Sequence, residues 1–425
     1  MKTYSMTALT AVFLVSGCAT YTQQTAKIRN ELIRGETGKA LEVLENSNIA
    51  GSKRDEVLFH MEHGMLQYLQ GRYDKASLDW ARASRRSDEL YTVSISRTLA
   101  SLAISEDMTD YEGEEHEKIF LPIFSALAFF SASENGKALV EVRRAYEIIK
   151  KLKLDEEAST NKIDGFPFLV SALLYEANSN WDAAIIEYRK ALKFYAKDRT
   201  NSSEGISTLV AESLWRIADY RKRSDVLEFL RETGFKSPNE TLLDRSESGE
   251  VFVFIESGQS PIKVARDFAI NLGSSIINVS FPVYQSISRS SSQTAIYCNG
   301  VLCGKTQKSS DVDALASGAL DRRRVKEFAK MTARLIMKEK VRETARKQLG
   351  EIGGLAVMVA NAVTERADTR SWTLLPENIQ MTRIKIRAST PVTISLAESG
   401  TLPADRVTVQ VSPGMKKLVR FRKMF

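Results

Sequence analysis

From about residue 22 to 235, apolar residues recur at three-to-four spacing, the period of helices that each bury one face. The pattern also repeats itself. After Gly71, the residues Tyr73, Ala76, Trp80 and Ala83 follow the order aromatic-x-x-Ala-x-x-x-aromatic-x-x-Ala, and Trp181, Ala184, Tyr188 and Ala191 follow it again. A small residue stands twelve positions before each leading alanine: Gly64 before Ala76, Ala126 before Ala138, and Ala172 before Ala184. Ala138, Val142 and Ala145 make a third copy, and Ala40, after Gly35, leads a fainter one. Two antiparallel helices come close where each carries a small residue, and aromatics fill the wedge between one pair and the next. Beyond residue 235, Ser, Pro, Asn, Asp and Gly cluster, and strand-like runs follow at 251–255, 276–281 and 295–298. A long basic helix is expected over 321–348, then an apolar segment over 352–363, then strands at 381–387, 392–396, 407–411 and 417–421.

The N-terminal repeats resemble the tetratricopeptide repeat, a helical hairpin of about 34 residues that stacks into a solenoid. Ala40, Ala76, Ala138 and Ala184 are spaced 36, 62 and 46 residues apart, so the array is irregular, with insertions such as the acidic stretch 112–115. The expected fold is therefore a tetratricopeptide-like solenoid followed by an α+β domain with a mostly antiparallel sheet. The expected boundaries are a signal peptide at 1–17, the repeat domain at 18–235, a linker at 236–249 and the α+β domain at 250–425. Solenoids of this kind present a concave face to a peptide or protein, so a protein partner is expected in the repeat groove.

The N-terminus changes where such a partner would be. Lys2 precedes an apolar run over 6–15, too short to span a bilayer and the right length for the core of a signal peptide. Val15, Ser16 and Gly17 then lead to Cys18, a sequence similar to the lipobox of bacterial lipoproteins. The resemblance implies cleavage before Cys18 and acylation of its thiol, which anchors the chain in a membrane. Ala19 stands where an Asp would favour inner-membrane retention in proteobacterial sorting, which implies the outer membrane with the body in the periplasm, surface exposure being left open. The net charge of +7, from 60 basic and 53 acidic residues, is mild for the length and consistent with plain solubility. Nucleic acid is not an expected partner outside the cytoplasm. In an oxidising compartment the remaining cysteines, Cys298 and Cys303, flank an Asn-Gly turn signal and are expected to form a disulfide; two small buried thiols are the alternative.

Candidate chemistry is sparse. His60 and His63 are three apart on a predicted helix and share a face, but the alignment of repeats puts them where helices pack, so packing is preferred over zinc. No metallopeptidase, serine-hydrolase or phosphate-loop motif is present, and neither a cofactor nor a metal is expected. Paired carboxylates for glycan cleavage are not singled out among so many acids.

Two blocks suggest relatives. Ala367, Asp368, Thr369, Arg370, Ser371 and Trp372, continuing to Leu375 and Pro376, resemble a block in an uncharacterised family of proteobacterial lipoproteins with tetratricopeptide-like N-terminal halves. The stretch 253–263 is similar to a second block of that family. Its members tend to be encoded near lipoproteins resembling activators of penicillin-binding proteins. From the residues themselves, Asp368 and Arg370 are expected to pair at a helix end, Trp372 to anchor the following strand, and Pro376 to stop it. Glu256 and Lys263 are expected to pair near a turn. The functional expectation is a non-catalytic lipoprotein that scaffolds or regulates an envelope machine. The alternatives are a contact regulator of a peptidoglycan synthase, a cell-wall hydrolase, and a homo-oligomeric structural component whose mark would be exposed sheet edges.

Overall fold

The computed structural model describes residues 20–96, 109–152, 163–196, 201–238, 247–271, 276–287, 293–324, 340, 344, 347–348, 367–397 and 405–424. The expected signal peptide at 1–17, Cys18, most of the expected basic helix and the apolar segment 352–363 lie outside them.

Helices run in antiparallel pairs: α1 (Tyr21–Ile33) with α2 (Thr37–Glu45), α3 (Glu56–Leu69) with α4 (Tyr73–Ser96), and α5 (Glu115–Ser131) with α6 (Asn135–Lys151). Two further pairs follow, α7 (Phe166–Ala177) with α8 (Trp181–Tyr195), and α9 (Asn201–Tyr220) with α10 (Ser224–Glu232). The turn between partners has one form throughout. Gly35, Gly71, Ser133, Ser179 and Lys222 all take positive φ, between 56° and 78°. The N–H of the next residue bonds back five positions, as Arg72 does to Gln67 O at 2.9 Å and Asn180 to Tyr175 O at 2.9 Å. That is the left-handed stop that satisfies the last carbonyls of a helix.

The leading alanines lie five residues after these turns. Counting from Lys222 puts Leu227 in the equivalent place of the last pair, with Trp215 twelve residues before it. A large pair thus replaces the small one, which is why the alanine pattern does not reveal this repeat. Elsewhere the small residues are buried at the crossings: Ala76, Ala83, Ala126, Ala138, Ala145, Ala172, Ala184 and Ala191 are each at most 1% exposed. At Gly64 a side chain has no room, because an added Cβ would lie 2.5 Å from Nε1 of Trp80. The indole cannot retreat freely, since it donates to the Met61 carbonyl at 3.2 Å. Gly64→Ala is therefore expected to destabilise the chain by about 1–3 kcal/mol, as overpacking does. A shift in the urea midpoint at unchanged slope would be the readout.

Among the described residues the C-terminal half has ten strands. β1 (Ser248–Ser257), β2 (Ile262–Asn271) and β3 (Ile276–Gln285) come first, followed by β4 (Ala295–Cys298), β5 (Val301–Lys305) and β6 (Gln307–Asp311). A helical segment over 312–324 comes next. β7 (Asn378–Arg387), β8 (Val392–Ser395), β9 (Arg406–Val409) and β10 (Lys416–Lys423) complete the half. They form one sheet of order β10-β1-β7-β6, a second of order β5-β4-β8-β9, and a separate β2–β3 ribbon. Pairing is antiparallel except between β1 and β10, which run parallel.

The two-residue alternation of β1 shows how the layers stack. Val251, Val253 and Ile255 point into a core shared with Ile296, Ile384, Ile394 and Phe421, between the two four-stranded sheets. Phe252 and Phe254 point the other way, into the core of the helical array. Phe252 meets Phe130 of α5 at 6.2 Å, and Phe254 meets Phe166 of α7 at 6.2 Å. A strand buried on both faces reads as an unbroken apolar run, and 251–255 is one. The order of layers is helices, first sheet, second sheet, with β1 near the centre.

Two corrections follow. The inner face of the array was expected to receive a partner; along α3, α5 and α7 it is filled by the chain's own sheet and by Trp372. The physical reason is that the first helix of each pair is apolar on two sides, so 13 residues of α5 and ten of α7 are buried. The second concerns Trp372 and Pro376. No strand lies between them: Trp372 sits in a loop, and β7 begins after Pro376, at Asn378.

Candidate functional site

The seam between the helical array and the sheet concentrates the buried charge of the molecule. Almost every first helix of a pair sends a polar side chain into it. From α3 comes Glu62, whose carboxylate accepts from Thr373 N at 2.7 Å, Thr373 Oγ1 at 2.7 Å and Leu374 N at 3.1 Å. It also accepts from the Tyr21 hydroxyl of α1 at 3.2 Å. From α5 comes Glu117, which accepts from Trp372 N at 2.7 Å and from the Tyr111 hydroxyl at 2.6 Å. These acids hold the 372–374 loop by its backbone, so the Trp372 ring enters the array between Trp80 at 6.2 Å and Phe124 at 6.0 Å.

Beside them Asp368 and Arg370 form a two-bond pair at 2.9 Å each. Arg370 also donates to the carbonyls of Arg54, at 3.2 Å, and Thr109, at 2.9 Å. The pair therefore ties the loop to the array; the helix whose end it was expected to close lies outside the described residues. Lys263 of β2 bonds Glu114, just before α5, and Arg323 adds a second cation at 2.6 Å from the same carboxylate. The expected Glu256–Lys263 pair is thus replaced: Glu256 of β1 instead accepts from the Tyr68 hydroxyl of α3 at 2.9 Å. The reason is topological, since β1 and β2 lie in different sheets and each meets a different helix.

Toward the other end, Glu176 of α7 meets Arg383 of β7 at 2.7 Å and Lys416 of β10 at 2.8 Å. Glu250 of β1 shares both cations, lying 2.7 Å from Arg383 and bonded to Lys416. The Tyr188 hydroxyl donates to Glu176, and Arg383 donates to Ser213 Oγ of α9 at 2.8 Å. The last link is Tyr195 of α8, which donates to the Ser309 carbonyl of β6 at 2.7 Å.

Burial and partners set the charge states. Burial pushes the Glu62 carboxyl up to about 7, against the hydrogen bonds that favour its anion. Burial also raises Glu117, with the neighbouring Glu114 adding to the shift. For Glu114, burial is outweighed by Lys263 and Arg323, which hold it well below the usual carboxylate range. Glu176 behaves likewise, with Arg383 and Lys416 overcoming burial. Glu250 ends at about 2 for the same reason. His116 falls to about 4 because its site is dry.

The arrangement can hold two layers together; it is poorly suited to turnover. A general acid or base must reach a substrate proton, whereas Glu62, Glu114, Glu117 and Glu176 are each at most 3% exposed and bonded within the chain. Among the described residues no group of three or more His, Cys, Asp or Glu side chains is placed to hold a metal ion. His60 and His63 both turn to Asp79 of α4, at 3.1 and 2.6 Å, and Phe59 stacks on His63 at 5.3 Å. Those two bonds, against the cost of burial, bring Asp79 down to about 2.

Cys298 and Cys303 are joined as a disulfide across the β4–β5 turn, with Cα atoms 5.7 Å apart. Asn299 and Gly300 take φ of 50° and 83°, the primed turn that an Asn-Gly pair favours. Cys18 lies outside the described residues. The seam residues Glu62, Glu114, Glu117, Glu176, Glu250, Arg383 and Lys416 were not singled out from sequence. One signal was available: Glu176 stands near the end of a largely apolar helix, one turn after Ala172 and Leu173, both of which are buried.

No family model matches the chain, and no curated protein matches it. Among solved structures the chain is similar to the apo form of RapI, at 14% identity and a TM-score of 0.37, over 50% of this chain and 52% of RapI. It thus spans about half the length of that relative. It is similar to a Podosopora anserina kinesin light chain with nearly identical TPR-like repeats, at 16% identity and TM-score 0.33, over 49% of this chain and 90% of that one. It is also similar to BtubC from P. vanneervenii, at 14% identity and TM-score 0.30, over 52% of this chain and 79% of that one.

Proposed function

We propose that this chain is a non-catalytic lipoprotein, tethered through Cys18 to the outer membrane, whose helical array is an interaction scaffold for an envelope protein assembly. A peptidoglycan synthase is the finer candidate for the partner. One observation carries the scaffold reading. The position two residues after the leading alanine is a large aliphatic in three consecutive repeats: Leu78 after Ala76, Val140 after Ala138, and Ile186 after Ala184. These side chains are 61%, 58% and 54% exposed. Single exposed aliphatics are ordinary. The same place in three stacked units makes a ridge across the outer face of α4, α6 and α8, on the side away from the sheet. With the inner face filled, this ridge supports docking on the outside of the array.

A hydrolase would need a convergent carboxylate pair open to a cleft. Glu114 and Glu117 converge but are sealed, so no observation favours that reading.

The test is a triple variant, Leu78→Asp, Val140→Asp and Ile186→Asp. All three positions are exposed, so the fold is expected to be retained by circular dichroism and melting. Mild crosslinking in cells, purification and mass spectrometry are expected to recover a small set of envelope proteins with the wild type and to lose at least about tenfold of it with the variant, a loss of roughly 1.4 kcal/mol or more. The same set at the same yield from the variant would remove the ridge as the contact.

A further inference from the structure

We propose that the outer face of α4, α6 and α8 takes an acidic amphipathic segment of a protein partner, with apolar side chains on Leu78, Val140 and Ile186 and carboxylates against Arg82, Arg144 and Lys190. This rests on the reading of the aliphatic ridge as a docking face, and deepens it by stating the chemistry of what docks.

The ridge has a companion row. Four residues after each aliphatic stands a cation: Arg82 after Leu78, Arg144 after Val140, and Lys190 after Ile186. Positions four apart share a helix face, so each outer helix offers an apolar side chain and, about 6 Å further along its axis, a positive one. Each cation has the same local partner, an acid three residues before it. Arg82 lies 3.5 Å from Asp79, Arg144 4.0 Å from Glu141, and Lys190 2.8 Å from Glu187. In every pair the acid is the deeper member: the side chains are exposed by 60% against 6%, 35% against 17%, and 34% against 14%. What faces outward is therefore the positive end of each pair. An exposed pair of this kind contributes little by itself. A guanidinium has five N–H donors and an ammonium three, so a second carboxylate can join each cation.

The two rows cross from helix to helix. Lys151 of α6 bonds Asp88 of α4 at 3.1 Å, and Lys190 of α8 lies 4.4 Å over the Tyr146 ring of α6. Successive outer helices thus lie side by side and form one face. Charge selects the partner. α6 and α8 carry eight basic and four acidic side chains, so a basic segment is repelled where an acidic one is drawn in. The aliphatic row adds a second requirement, since an acidic polymer without apolar side chains leaves Leu78, Val140 and Ile186 uncovered. A segment with apolar residues on one side and carboxylates beside them meets both rows at once.

The experiment titrates the full-length protein into a fluorescein-labelled peptide and follows its anisotropy. The probe is about three heptads long, with leucine at the two core positions and glutamate elsewhere. One control peptide carries lysine for glutamate, the other serine for leucine. The leucine–glutamate peptide is expected to bind about tenfold more tightly than either control. The variant Arg82→Gln, Arg144→Gln and Lys190→Gln is expected to weaken it about tenfold, the sum of three exposed ion pairs, and added salt to narrow that difference. Asp79 keeps His60 and His63 as partners in this variant, and melting checks that the fold is retained. Equal binding of the glutamate and lysine peptides, or an affinity unchanged in the variant, would overturn the acidic partner. Serine for leucine without loss of affinity would overturn it in favour of a plain polyanion contact. A protein that binds none of the peptides would overturn it as well; if it then binds phosphatidylglycerol vesicles that the variant does not, the face belongs to the bilayer. The docking face and its chemistry fail separately in cells. Crosslinked partners lost with the aspartate triple variant but kept with the glutamine one would sink this inference alone, whereas partners kept with both would sink the docking face itself.

Discussion

Trp372→Ala is expected to lower the unfolding free energy by about 3–5 kcal/mol, the range for truncating a fully buried Trp. The side chain is 0% exposed and lies between the rings of Trp80 and Phe124. Collapse around the vacancy is opposed on both sides. Trp80 is pinned by its bond to Met61 and has Gly64 against its face. The loop is pinned by Glu117 and Glu62 through the N–H groups of residues 372–374. A site that cannot relax keeps its cavity, which places the cost toward the upper end. Because the ring packs between Trp80 of α4 and Phe124 of α5, the loss falls on the seam. Limited proteolysis of the variant is expected to cut first in the loop before β7. Guanidinium unfolding gives the free energy, and a loss under about 1 kcal/mol would mean the ring is not the anchor described.

Glu176→Gln is expected to cost a similar amount, about 3–5 kcal/mol, since removing one member of a buried ionic cluster leaves the others uncompensated. Glu176 is 1% exposed, Arg383 and Lys416 share it, and Glu250 would remain for both of these deeper cations while also pairing with Arg216 at 3.4 Å. The effect carries a pH signature. Glu176 and Glu250 are both held below their unfolded values, Glu250 at about 2. A depressed carboxylate contributes stability that is present above the unfolded value, about 4.5, and is lost as pH falls toward the folded one. The gap between wild type and variant is therefore wide at pH 7 and narrows below about pH 4.5. Glu62 runs the opposite way: raised to about 7 by burial, it makes the folded state bind the extra proton, so stability falls as pH rises from about 4.5 to 7. Denaturant midpoints of both proteins at pH 7.5, 5.5 and 3.5 check the signs. A gap that is constant across this range would mean that Glu176 acts through its shape and not its charge.

Four of the five helical pairs among the described residues were legible because their signal is local. A small residue where two helices cross, an aromatic one turn on, and a turn of fixed length all lie within about forty residues. The fifth pair kept the turn at Lys222 but exchanged small for large, with Leu227 and Trp215 in place of alanines, and so left no alanine signal. Strands with apolar character at 251–255, 381–387 and 417–421 were legible for the same reason. β6 was not, because Gln307, Lys308, Ser309, Ser310 and Asp311 carry no apolar period. Its buried serines are satisfied by partners remote in sequence: Ser309 Oγ donates to the Ile379 carbonyl at 2.9 Å, and Ser310 Oγ to Asp164.

The chain's own alternations thus decided which stretches became helices, where each helix stopped, and that β1 would be buried on both sides. The sequence also marked the Asn-Gly turn between the paired cysteines. Only the tertiary structure decided what lies against what. Glu62 and Thr373 are 311 residues apart and Glu176 and Arg383 are 207 apart, separations at which no periodicity carries information. An acid in a helix reads as solvent-facing until the strand that neutralises it is in place. For that reason the sequence pointed to an open groove, and the folded chain fills that groove with its own sheet.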